Sequence, residues 1–154
     1  MAIAGFAFCY RFRVRWSEVD PQNVVFNARY LDYGDLGLTE YWRAVDFRGD
    51  DGAGPMDFHV ARAEVDFKKP IKPDELVEIW CRTERLGNSS MTTRLEIHGA
   101  GTSGEDLRAI IHEVQVHVDL DTHRPKPLPE IVRTRFTDFD AQTTPVIRGE
   151  PLPG

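Results

Sequence analysis

At 154 residues the chain has the length of one domain able to bury about 68–70% of its unfolded surface. A hydrophobic fraction of 41% and a charged fraction of 29% are those of a globular protein rather than a disordered or fibrous one. The formal charge of -6 excludes the broad basic face of a nucleic-acid-binding protein but leaves local Arg and Lys free to meet a phosphate-bearing ligand. Cys9 and Cys81 are far apart and show no metal-ligand spacing, which points to two reduced, packed thiols in a cytoplasmic protein. The apolar opening lacks a basic segment and runs straight into strand alternation, unlike a secretory leader. No later apolar run approaches the ~18–20 residues needed to span a bilayer.

Phe8, Tyr10, Phe12, Val14 and Trp16 share one parity and Cys9, Arg11, Arg13 and Arg15 the other, the period-two pattern of a half-buried strand. The arginine row is expected to face solvent or a second subunit. An Asp20-Pro21 turn follows, then a short apolar step at Val24-Val25-Phe26, with Asn27 as the expected helix N-cap. Leu31, Gly34, Leu38, Tyr41 or Trp42, and Val45 continue at helical spacing, and Tyr30, Tyr33 and Gly37 add a second apolar side. Gly34 and Gly37 each cost about 1 kcal/mol relative to Ala inside a helix, so something passes close by: a ligand, another backbone, or a tightly packed sheet. Gly49, Asp50, Asp51, Gly52, Gly54 and Pro55 are expected to stop the helix and form a loop.

Four further strands are readable. The apolar parity switches within 56–67, which predicts a bulge. A proline-flanked turn leads to a strand at 76–82, a hairpin at 86–90, and renewed alternation at Met91, Thr93, Leu95 and Ile97. Glycines at 99, 101 and 104 mark another turn, and 107–120 is the longest strand, with Ile110, His112, Val114, Val116, Val118 and Leu120 facing one way. One long helix inserted after the first of five strands predicts an α+β fold, a curved antiparallel sheet wrapped on a central helix. The domain is expected to occupy 1–136, and the proline-broken residues 137–154 a polar tail draped on the surface or poorly ordered.

The stretch Trp16-Ser17-Glu18-Val19-Asp20-Pro21-Gln22-Asn23-Val24-Val25-Phe26-Asn27-Ala28-Arg29-Tyr30 resembles the signature of hotdog-fold acyl-CoA thioesterases, nearest the branch of 4-hydroxybenzoyl-CoA thioesterase and the Tol-Pal-associated enzymes. The similarity continues through Val65-Asp66-Phe67-Lys68-Lys69-Pro70, Asp74-Glu75-Leu76, Asn88-Ser89-Ser90 and Val116-His117-Val118-Asp119, covering most of 8–136. It implies a hotdog fold, dimers joined sheet edge to sheet edge, often tetramers, and active sites at the subunit interface. It also implies Asp20 as the catalytic carboxylate and the backbone N–H of Asn27 as the donor that polarises the thioester carbonyl. The chemistry suits these groups. Thioester hydrolysis needs a nucleophile or a base to activate water, and a helix N-terminus favours the negative charge that grows on the carbonyl oxygen. An aspartate beside proline also suits a purely structural turn.

The chain departs from that family pattern in three places. Asn23 stands where a glycine usually follows the Asp turn, Asn27 where the Tol-Pal branch has His, and Gly87-Asn88-Ser89 where the hydroxybenzoyl enzyme has arginines for the CoA phosphates. Ser89 and Ser90 remain candidate substrate contacts, with Arg85, Lys68, Lys69 or backbone groups left for the phosphates. Phe26, Tyr30, Tyr33 and Phe58 are the candidate acyl-pocket residues. Asp35 is a reserve carboxylate on the helix, and Glu18 reads as an exposed neighbour of Asp20. The five histidines have no ligand spacing, so no metal is expected, and no cofactor beyond the CoA of the substrate. There is no GxSxG and no Cys–His pair. The expectation is a cytoplasmic homo-oligomeric thioesterase acting on a short-to-medium-chain or aromatic acyl-CoA. The alternatives are a carrier-protein or polyketide thioesterase and a non-catalytic acyl-CoA-binding protein. A hotdog dehydratase fits less well, because no His/Glu pair sits at the strand–helix junction.

Overall fold

Strand alternation dominates the chain, and the computed structural model, which describes residues 2–46 and 56–154, gathers it into one six-stranded sheet. The elements run β1 (Phe8–Arg13), a 3₁₀ turn (Trp16–Glu18), α1 (Arg29–Val45), β2 (Asp57–Phe67), β3 (Leu76–Leu86), β4 (Ser90–Gly99), β5 (Leu107–Val118), α2 (Glu130–Asp140) and β6 (Val146–Gly149). Their order across the sheet is β2-β5-β4-β3-β1-β6. Every neighbouring pair is antiparallel except β1 and β6. The expected bulge in β2 falls between Val60 and Arg62. The glycine-rich loop predicted after the helix, at 49–55, lies outside the described residues.

α1 packs on the sheet face formed by Phe8, Phe12, Val77, Ile79, Leu95 and Ile111, which meets Tyr33, Leu38, Tyr41 and Val45 in one buried cluster. The two helical glycines answer to that packing. A Cβ at Gly37 would lie 2.9 Å from the Ile79 side chain, and one at Gly34 would lie 3.4 Å from Ile111. The sheet is the close neighbour, and glycine lets the helix approach it. On the outer face a second, smaller cluster closes Ile3 and Phe6 over Trp80 and Cys9. Cys9 and Cys81 are both free thiols, and both are buried.

Several expectations are corrected. The helix N-cap is Ala28, with no side-chain cap bond, because the chain enters the helix through two tight turns: the Arg29 N–H donates to the Phe26 carbonyl and the Tyr30 N–H to that of Asn27. Arg11 is not solvated; it is buried on the outer face with its Nε 2.8 Å from a Glu78 carboxylate oxygen. Trp16 leaves the strand and stands exposed in the 3₁₀ turn. In β5 the apolar even row faces outward, and the odd positions Ala109, Ile111, Glu113, Gln115 and His117 face the helix side.

The chain beyond 129 is ordered into two elements that the pattern of prolines hid. α2 buries Val132 and Phe136, and its Asp140 carboxylate accepts hydrogen bonds from the Tyr41 hydroxyl (2.7 Å) and the Thr83 N–H (2.8 Å). β6 adds a parallel edge strand to β1, with Gly149 at φ +88° pressed against the Arg11 backbone. Five expected strands become six for this reason.

Candidate active site

The turn between β1 and α1 is built by short-range hydrogen bonds. The Asp20 N–H donates to the Val24 carbonyl (2.8 Å) and the Asn23 N–H to that of Asp20 (2.9 Å). The second bond closes a tight reversal in which Asn23 sits at φ 63°, a left-handed conformation that asparagine adopts more readily than most residues. One oxygen of the Asp20 carboxylate accepts the Gln22 N–H at 2.8 Å. The other has no partner among the described residues. The return limb is fixed by the Val25 N–H on the Ile71 carbonyl (2.7 Å) and the Phe26 N–H on that of Glu18 (3.0 Å). The chain then starts α1 with the N–H groups of Asn27 and Ala28 unpaired among the described residues. The turn that leads into this 17-residue helix therefore carries a carboxylate with one free oxygen and, at its end, amide donors unpaired among the described residues.

Glu18, expected to be exposed, is buried and pins this turn from beneath. Its carboxylate accepts the Arg15 N–H (2.7 Å) and the Tyr33 hydroxyl (3.1 Å), and pairs with the Arg15 guanidinium (3.2 Å). Tyr33 is packed at 4.8 Å against the Phe12 ring, and Tyr30 at 4.8 Å against Phe67. Burial raises both phenols above their usual range, with the Glu18 charge adding to the effect at Tyr33. Both tyrosines are buried and lock the first turns of the helix to the sheet, whereas Phe26 is exposed beside the turn.

The remaining candidates lie elsewhere. Ser89 and Ser90 are in the β3–β4 hairpin, where the Ser89 carbonyl accepts the His117 N–H (2.8 Å) and Arg133 of α2 reaches the Gly87 carbonyl (2.5 Å). Along β5 the hairpin sits at Val116, whereas Phe67, the neighbour of Tyr30, sits at Ala109. That seven-residue offset is about 23 Å at roughly 3.3 Å per residue. Within one chain the hairpin and Asp20 are not brought together. Of the phosphate candidates, Lys69 is already paired with Asp106 (2.7 Å).

At the hairpin end, between α1 and β2, lies a groove of about 440 Å³ lined by Asp35, Leu38, Thr39, Trp42, Arg43, Asp46, Asp57, Phe58, Val60 and Gln115. The Trp42 and Phe58 rings meet edge to face at 5.0 Å on its wall. Beneath it runs the polar row Glu113, Gln115 and His117, all buried. Burial, then the Asp35 charge, push the Glu113 carboxyl up, and a hydrogen bond from Gln115 only partly opposes them. Sequence reading missed this row; its signal was three polar residues in succession on one parity of a long strand. No group of three His, Cys, Asp or Glu among the described residues is arranged to hold a metal, and no described helix is long and apolar enough to cross a membrane.

Comparison with known proteins agrees with this architecture. The family model of the thioesterase-like superfamily matches residues 14–136. A thioesterase from Thermus thermophilus, solved with coenzyme A and zinc, is 31% identical over 91% of this chain and 98% of its own, with a TM-score of 0.75. A predicted thioesterase from Bacillus stearothermophilus is 26% identical over 86% and 95% of the two chains, with a TM-score of 0.72. A 1,4-dihydroxy-2-naphthoyl-CoA thioesterase from Synechocystis, at 18% identity, shares the fold over 88% and 98% of the two chains, with a TM-score of 0.75. No curated protein matches the chain. With its sheet-wrapped helix and this match across most of its length, the chain belongs to the thioesterase-like superfamily and is a hotdog-fold thioester hydrolase.

Proposed function

We propose that the protein hydrolyses acyl-CoA thioesters, with Asp20 as nucleophile or general base and the Asn27 N–H as oxyanion donor, at a site that a second copy completes. The observation supporting this reading is that one turn, opening into α1, holds a half-free carboxylate and amide donors unpaired among the described residues. With Asp20 as base, it takes a proton from water while the water oxygen bonds to the carbonyl carbon. The resulting oxyanion is held by the Asn27 N–H and the helix dipole. Collapse breaks the C–S bond, and the departing CoA thiolate takes up the proton. With Asp20 as nucleophile, its oxygen bonds to the carbonyl carbon, the same donors hold the oxyanion, and the C–S bond breaks to release CoA thiolate. Water then opens the acyl-aspartate anhydride, returning the Asp20 carboxylate and giving a proton to the thiolate. The bound coenzyme A of the Thermus relative supports a CoA thioester as substrate.

The need for a second copy comes from strand order. β2 is an edge strand of 11 residues, and most of its positions are exposed. An antiparallel pairing of two β2 strands would lay the Phe67 end of one copy against the Asp57 end of the other. The Asp20 turn of one copy, fixed near the Phe67 end, then faces the groove and hairpin of the other, uniting Asp20 and Asn27 with Phe58, Ser89 and Ser90. That groove, walled by Trp42 and Phe58, suits a short-to-medium or aromatic acyl group. The buried free thiols support a reducing, cytoplasmic setting.

The test is thiol release from a panel of acyl-CoAs, with Asp20→Asn as control. We expect Asp20→Asn to lose about 10²–10⁴-fold in kcat, with the oligomer intact; wild-type turnover in that variant overturns the assignment. Asp35 is the second reading, because it lines the groove directly. If Asp35→Asn and not Asp20→Asn abolishes turnover, the carboxylate is reassigned. Faster turnover of matched carrier-protein thioesters would indicate the carrier-protein enzyme, and acyl-CoA stabilisation without thiol release a binding protein.

A further inference from the structure

The inner face of the sheet carries a buried polar row along β5, and not all of its polar atoms satisfy one another. Glu113 lies under α1 where Gly34 leaves room, its Oε1 3.7 Å from where a Gly34 Cβ would be. Gln115, the next residue along that face of β5, donates its amide nitrogen to Glu113 Oε2 at 3.0 Å. The Gln115 amide oxygen has no partner among the described residues, although Gln115 is only 2% exposed and lines the groove. Thr93 is directly across from Glu113 in the β4–β5 register, fully buried, and its hydroxyl has no partner among the described residues. His117 follows on the same row. Its Nδ1 is 3.0 Å from the Pro127 carbonyl, which can only accept, so Nδ1 carries a proton, and Nε2 has no partner among the described residues.

Buried polar groups are normally satisfied, and each exception calls for a ligand, a water or a cost in stability. The three exceptions lie along one stretch of sheet, and of them Gln115 lines the groove, where its free oxygen is a site for a hydrogen-bonding guest. Its chemistry can be read from the atoms left free. The free Gln115 atom is an oxygen, which only accepts, so a guest that satisfies it must donate. The Thr93 hydroxyl can donate in return. Among the described lining residues Asp35, Asp46 and Asp57 stand against Arg43 alone, which disfavours a carboxylate-bearing guest. A neutral hydroxyl meets all of these requirements.

We infer that Gln115, oriented by Glu113 and assisted by Thr93, reads a hydroxyl group on the acyl part of the substrate, so that the protein selects hydroxylated over unsubstituted acyl groups. This rests on the acyl-CoA reading and on the acyl group entering the α1–β2 groove. Gln115 is a specificity residue rather than a participant in the bond-breaking step. A site built to hydrogen-bond a hydroxyl rejects the analogue lacking it, because its own polar atoms are then left unpaired.

The test compares octanoyl-CoA with its 3-, 5- and 8-hydroxy derivatives, and phenylacetyl-CoA with 4-hydroxyphenylacetyl-CoA. It reads the ratio of kcat/KM within each set, and the dissociation constants of the matching non-hydrolysable thioether analogues by calorimetry. For the wild type we expect at least one hydroxyl position to be favoured by about tenfold in both readouts. Gln115→Met, which keeps side-chain volume, should bring that ratio to within about twofold, and Thr93→Val should lower it. A wild type with no preference, or a preference that survives in both variants, overturns the inference and leaves a water-filled pocket. If Gln115→Met fails to fold, Thr93→Val and the hydroxyl series decide. Analogue discrimination without thiol release overturns the hydrolase reading alone, turnover without discrimination overturns this inference alone, and failure to bind any analogue overturns both.

Discussion

Glu18 and Asp20 are two residues apart and do opposite things. Glu18 points into the core and is spent on Arg15 and Tyr33; Asp20 lies half-buried at the turn with one oxygen uncommitted. The difference comes from the 3₁₀ turn, which folds Glu18 back over Arg15 while the Val19–Val25 bridge carries Asp20 onward. Glu18→Ala should therefore destabilise the protein by about 1–3 kcal/mol, since the Arg15 N–H and a buried tyrosine hydroxyl lose their acceptor. A urea-unfolding midpoint equal to the wild type's would show that the turn does not depend on it. Asn23 was legible from sequence as a residue that tolerates left-handed backbone, and it holds that conformation. The burial of Glu18 was not legible, because its partner Tyr33 is fifteen residues away across the turn.

The elements divide in the same way. The strands and α1 were readable because each repeats its period over many residues. α2 carried a readable signal in Val132, Phe136 and Phe139, spaced four and three apart, which the surrounding prolines and charges obscured. β6 had none; four residues between prolines are too few for a period. It exists because the edge of β1 offers partners, with the Val146 N–H on the Ala7 carbonyl (2.8 Å) and the Glu150 N–H on that of Arg11 (2.9 Å). Gly149 is the weak point of this pairing. A Cβ there would run into the Arg11 carbonyl oxygen, on a backbone already at positive φ. Gly149→Ala should release the strand, seen as faster hydrogen exchange at the Val146 and Glu150 amides with α1 amides unchanged. Unaltered protection at those two amides would mean that the edge accommodates the side chain.

On the scale of the whole molecule, the exposed edge is the feature that asks for a partner. A long, unpaired edge strand is a liability that proteins cover or blunt, and β2 presents Val60, 59% exposed, and Phe67, 55% exposed. The proposed two-copy site predicts that Val60→Lys shifts the mass in light scattering toward a single chain and lowers thiol release with it. A wild type that is monomeric at full turnover would separate catalysis from assembly and place the whole site within one chain.

Local period and turn chemistry were enough to determine β1 to β5, the central helix, the β2 bulge and the Asp20 reversal, because those depend on residues close together in the chain. The resemblance carried by the Asp20 stretch led to the family. Tertiary structure alone decided which face of each strand became core. Alternation shows that β5 has two faces, not which one the helix will cover. The helix covers the face bearing Glu113, Gln115 and His117 because register with β4 places Leu95 and Ile97 on that side, and α1 meets β5 at Ile111 and Glu113 beside Gly34. Burial of that polar row, and the groove above it, follow from which surfaces meet.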